Sequence, residues 1–158
     1  SGESVMPTLT PIDEGVQLVH DMVASRIGSE RERAGARASL KARLEQDLPD
    51  WQRAWVHAAI GLSLLAEDDT HESRLGIVQL LYVPAQYAQT QPYLAGVCLA
   101  KASIRLAEMG RSEAAVTLAG ELAREYKRHI SIEHPIVREL IRQYQNQSTP
   151  AAPSEEDA

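Results

Sequence analysis

The sequence predicts an all-α fold made of antiparallel helical hairpins stacked side by side. Three observations lead there. Apolar residues recur every three or four positions and almost never alternate, which is the period of a helix and not of a strand. Ala, Leu, Glu and Arg dominate, all good helix formers, and Phe is absent. Start and stop signals divide the chain into about seven helices, joined mostly by turns too short for anything but antiparallel neighbours.

Thr10-Pro11-Ile12-Asp13 opens the first helix, with Thr10 as N-cap, Pro11 in the first turn and Asp13 near the positive helix end. Ile12, Val16, Val19 and Val23 follow three or four apart as its apolar stripe, and Gly28 is its stop. Ser29 and Glu32 form a capping box that opens the second helix, expected to reach Gln46. Leu48-Pro49-Asp50 breaks the chain, and the third helix runs from Trp51 to Ala66. Asp69 and Glu72 start the fourth, expected to end near Pro84. Pro92 sits in the first turn of the fifth, which reaches Met109. Gly110 then turns the chain, Ser112 is expected to cap a sixth helix running to His129, and His134-Pro135 opens a shorter last one.

The chain has 158 residues, enough for one domain, and its 44 % apolar content suffices for a core. The helical domain is expected over residues 10–147, between a loose segment at 1–9 and a disordered Pro/Ala/acidic tail at 148–158, too polar to offset its ordering entropy. No apolar run approaches the ~18 residues of a membrane span. Ser1 to Pro11 lacks the basic start and apolar stretch of a secretory leader, so a soluble chain is expected and no compartment is indicated. Cys98 is the only cysteine, so no disulfide can form within the chain; between Val97 and Leu99 it reads as a small buried hydrophobe. The net charge of −6 argues against broad nucleic-acid binding, which needs a basic face.

Residues 93–126 carry an internal pattern. Leu99 is followed four residues later by the small Ser103, a glycine stands at the turn (Gly110), and a small residue, Ala115, follows in the next helix. Leu106, Ala119 and Leu122 take neighbouring packing positions. Small residues suit helix crossings, because backbones approach closely only where no bulky side chain intervenes. This stretch resembles a tetratricopeptide repeat. Lys127 stands where the repeat would close on Pro, and Ala119 replaces its second-helix aromatic. A fainter copy runs through Ile60-Gly61, Leu64, Ser73, Ile77 and Leu80. The interval from Gly61 to Ser103 exceeds the usual ~34 residues, and the stretch from Val83 to Gln91 could supply the excess. The first hairpin, Ile12 to Gln46, shares the layout only.

The resemblance implies a short right-handed solenoid whose last helix is a cap; a closed helical bundle is the alternative. It also implies a non-catalytic scaffold or adaptor without a cofactor, binding a peptide or protein in a concave groove, with self-association as a further option. Carried onto this chain, the groove set is Trp55, Ala58, Leu62 and Leu65 in one hairpin and Val97, Ala100, Ile104 and Glu108 in the next. Such a set suits an amphipathic helix better than a charged carboxylate, with Trp55 as anchor. The chain's own last helix could fill part of the groove. The alternative function is a helical bundle that binds a small ligand or acts as an enzyme, with His57 as the first candidate in a closed pocket.

Other clusters have simpler readings. Arg33, Arg37 and Lys41 lie four apart on one stripe, with Arg26, Arg31 and Arg43 nearby. They form either a basic face for an acidic partner or a solvated face paired with Glu30, Glu32 and Glu45, and the second reading is preferred. Glu67, Asp68, Asp69, His71 and Glu72 cluster at one turn, but helix capping accounts for Asp69 and Glu72 without a metal. His129 and His134, with Glu133, lack the spacing of a helical zinc site. His20 beside Asp21 reads as surface. No nucleophile elbow, Walker loop, GxGxxG or HExxH is present.

Overall fold

The computed structural model describes residues 11–148, and side chains from 14 to 147. The Thr10 cap, the side chain of Ile12, the segment 1–9 and the tail from 149 onward lie outside the described residues. Those described are helical throughout, with no strand. The helices are α1 (Pro11–Ile27), α2 (Glu30–Leu44), α3 (Asp50–Leu65), α4 (Thr70–Tyr87), α5 (Pro92–Glu108), α6 (Ser112–Glu125) and α7 (Pro135–Ser148), with a 3-10 turn at Ile130–Glu133.

Side-chain caps set the starts of α2 and α4. Ser29 Oγ accepts from the Glu32 amide, and the Glu32 carboxylate accepts from the Ser29 amide at 2.7 Å. Asp69 accepts from the Glu72 amide at 2.8 Å and starts α4. Gly110 turns the chain at φ +72°, a conformation that costs other residues backbone strain. Three expectations need correction. Ser112 is the first residue of α6 and Arg111 holds the cap position without a side-chain bond. Next, α6 stops at Glu125, four residues before His129, and the chain passes through the 3-10 turn instead. Finally, α4 does not end at Pro84 but runs through it to Tyr87. A proline near a helix end removes only one ladder bond, and here Val83 is fully buried and Tyr87 packs against the core.

Each helix packs on the next, and the odd-numbered helices also touch in series, α1 on α3, α3 on α5 and α5 on α7. The core is divided accordingly. Leu18, Leu40, Val56, Ile60 and Leu64 join α1 to α3; Ala58, Ile77, Leu80, Leu94 and Cys98 join α3 to α5. Leu99, Ala115, Ala119, Leu122, Val137 and Leu140 join α5 to α7. Gly61 and Gly76 allow α3 and α4 to meet almost backbone to backbone. A Cβ on Gly61 would lie 2.8 Å from the Leu80 side chain and 2.9 Å from the Gly76 carbonyl.

The first helix reverses the expected arrangement. Its stripe faces outward: Val16, Val19, Val23 and Ile27 are 66, 60, 49 and 80 % exposed. Leu18, Asp21 and Ser25 are buried instead. The cause is a polar network that fixes the roll of the helix. The Asp21 carboxylate accepts from Gln17 Nε2 at 2.8 Å and from Ser39 Oγ at 2.6 Å, with the Arg43 guanidinium 3.9 Å away. Ser63 Oγ on α3 donates to the Ser25 carbonyl. Turning the valines inward would tear these groups from their partners and strand them, which costs more than the exposed aliphatic surface gains.

Candidate functional site

The proposed groove residues lie on α3 and α5, and the structure sorts them into three groups. Trp55 is 39 % exposed, and Trp51, one turn earlier on the same side of α3, is 50 % exposed. Neither indole has a ring partner among the described residues. Leu62, Leu65, Val97 and Ile104 are half-buried, and Glu108 is exposed. Ala58 and Ala100 are buried, so these two are corrected: they serve the helix–helix seams rather than an open groove. The reason is packing, since small residues stand where helix backbones cross. Ala58, Leu62 and Leu65 pack in the cluster between α3 and α5, while Ala100 and Ile104 pack with α6 and α7. The last helix packs on part of α5. Beside it, Ala100, Lys101 and Ile104 line a recess of about 270 Å³ with Ile130, Ser131 and His134.

His57 does not sit in a closed pocket. Its Nδ1–H donates to Gln79 Oε1 at 2.8 Å, and its ring stacks on Tyr82 at 4.8 Å and 10°. Tyr82, Leu75 and Val78 form an exposed apolar strip on the outer side of α4. The histidine thus ties α3 to α4.

The basic stripe is corrected too. Arg33 Nε and Nη2 donate to the two Glu67 oxygens, both at 3.0 Å, and Arg37 Nη1 donates to Glu67 at 2.7 Å and to Ser63 Oγ at 3.0 Å. Arg33 also donates to the Gly28 carbonyl at 2.9 Å. The two arginines hold the Glu67 carboxyl at a pKa of about 2, far below the ordinary range. They clamp α1, α2 and α3 together and leave Lys41 as the exposed member of the stripe. The partners expected from local spacing, Glu30, Glu32 and Glu45, do not bond to them. Glu67 is likewise committed and Asp69 is a cap. Among the described residues, no three His, Cys, Asp or Glu side chains stand together in a way that could hold a metal ion.

One recess escaped the sequence reading. Pro92 and Tyr93 at the start of α5 face residues 124–130 across an open cleft of about 620 Å³. His129 is its wedge. Its Nδ1 accepts from the Ser131 amide at 3.1 Å, so Nε2 carries the proton and donates to the Tyr93 carbonyl at 2.9 Å. The ring lies 4.8 Å from that of Tyr93 and fills the space where Gly96 lacks a side chain; a Cβ there would sit 2.5 Å from it. The glycine in the interior of α5 was the signal for this contact. His134 lies in the smaller recess, and Glu133 pairs with Arg138.

Arg124, Glu125, Lys127 and Arg128 also line the larger cleft, beside His129. The lowered carboxyls, Glu67, Glu32 and Glu139, owe their shifts to side-chain hydrogen bonds within ion pairs and a helix cap. Burial pushes the Cys98 thiol up to about 12, far from a nucleophile's range. No helix among the described residues is long and apolar enough to cross a membrane. Compared with known proteins, the chain matches no family model, no curated protein and no solved structure.

Proposed function

We propose that the chain is a non-catalytic protein-binding scaffold built from tetratricopeptide-like hairpins, taking an amphipathic helix against α3 and α5. The observation that carries this reading is the pair Trp51 and Trp55. Two large indoles stand exposed four residues apart on one helix, and these are the chain's only tryptophans. Tryptophans dominate binding energy when a partner desolvates them, and four-residue spacing matches the anchor interval of a bound helix. The series of cores along the chain and the small residues at the crossings support the hairpin stack. With Ala58 and Ala100 buried, the contact set becomes Trp51, Trp55, Leu62, Leu65, Val97, Ile104 and Glu108.

Because both tryptophans lie on this face, their own fluorescence reports binding. Amphipathic helical peptides should shift the emission to shorter wavelength. Trp55→Ala should weaken the strongest of them about tenfold or more, with circular dichroism unchanged. A variant that binds equally well, or peptides that never shift the emission, would remove the face from consideration.

A further inference from the structure

We propose that the outer face of α1 is a self-association surface, on which a second copy of this chain packs about a two-fold axis. This goes beyond the groove reading and does not depend on it. The starting point is the reversed roll of α1. Asp21 is hydrogen-bonded inside to Gln17 and Ser39, and Val16, Val19, Val23 and Ile27 form an exposed ridge of β-branched side chains. The opposite end of the molecule differs. There α7 buries Val137, Leu140 and Ile141 and turns Arg138, Glu139 and Arg142 to solvent, as a terminal cap should. The α1 end has no such cover among the described residues.

Two features select a second copy as the occupant. First, the surface carries both a ridge and a hole to receive one. Beside the ridge, a recess of about 410 Å³ opens between α1 and α2, floored by Ala24, Gly28, Gly35 and Ala36. A two-fold interface requires a self-complementary patch, in which the knob of each copy meets the hollow of the other. Here Val23 and Ile27 rim the hollow while Val16 and Val19 project from the same helix. Second, the chain carries a net charge of −6, so two copies repel wherever their charges meet. Between Val16 and Ser25 the only formally charged residue is Asp21, which is 5 % exposed and turned inward. The carboxylate at the recess edge, Glu32, is held by Ser29. This stretch of α1 therefore brings no exposed charge of its own to the contact, and Glu32 is the exposed carboxylate at the recess.

The test is sedimentation equilibrium of the full 158-residue chain from low to high micromolar concentration. The wild type should rise from 17.4 kDa to twice that mass. Val19→Lys should hold it at the monomer mass across the whole range. Gly35→Leu provides an independent arm. A Cβ at Gly35 meets nothing within 4 Å, so a side chain can start there, and leucine is expected to fill the hollow. It should raise the melting temperature of the dilute protein, through better helix propensity, and still abolish the dimer. Val78→Lys, on the exposed strip of α4, should dimerise as the wild type does. A wild type that stays monomeric overturns the proposal, whether residues 1–10 or another protein covers the face. So does a dimer that survives both α1-side changes, or one that Val78→Lys dissociates.

Discussion

Glu67 holds three helices through two arginines, and that makes its charge a stability term. Its folded pKa of about 2 lies below the ~4.3 of a free glutamate. A depressed carboxyl stabilises the fold fully above the unfolded value, and the contribution drains away as pH falls toward the folded value. Glu67→Gln should therefore cost about 1–2 kcal/mol at pH 7. The gap between variant and wild-type melting temperatures should close between pH 4.5 and pH 2. Thermal melts across that range check it; a gap that stays constant would assign the effect to shape and not to charge. The sequence showed Arg33 and Arg37 on one stripe, because helical spacing is local. It could not show that their partner lies on another helix, since Glu67 meets them only once α2 has packed on α3. The same limit hid the contact of His129 with Tyr93, which joins the two ends of a hairpin.

Helix positions and caps were legible because each depends on a few adjacent residues. The Ser29 box, the Asp69 cap and the Gly110 turn appear where expected. What periodicity does not say is which neighbour a stripe will face. In α1 the valines recur at helical spacing, yet Asp21, Ser25 and their partners on α2 and α3 decide the roll. The crossing of α3 and α4 offers a test at this scale. Gly61→Ala improves intrinsic helix propensity by about 1 kcal/mol but drives a methyl into Leu80 and the Gly76 carbonyl. The clash should win, for a net loss of about 1–3 kcal/mol. Gly35→Ala, made in open space on α2, should instead gain roughly 0.5–1 kcal/mol. Urea denaturation of the two variants beside wild type measures both signs, and equal effects would contradict the close crossing.

At the scale of the whole molecule, the all-helical class followed from composition and period, which need no tertiary contact. The candidate face was only partly legible. Trp55 is partly exposed, but Ala58 and Ala100 are buried, because small residues stand where helices cross. The burial of Cys98 reaches further. The chain's single thiol lies where α3, α4 and α5 meet, and its acidity is suppressed to about 12. An alkylating reagent attacks a thiolate in water, so labelling must wait for the centre to open. At neutral pH the native protein should react roughly a thousandfold more slowly than the denatured chain, or slower still. Mass spectrometry of timed samples would follow this directly, and a native rate close to the denatured one would place the sulfur at the surface. If the ratio holds, labelling under increasing urea distinguishes fraying of the ends, which leaves the sulfur untouched, from rupture of the middle, which exposes it. Each alkylated molecule then records one excursion of its centre, so the sole cysteine works as a clock for rare openings that equilibrium spectroscopy averages away.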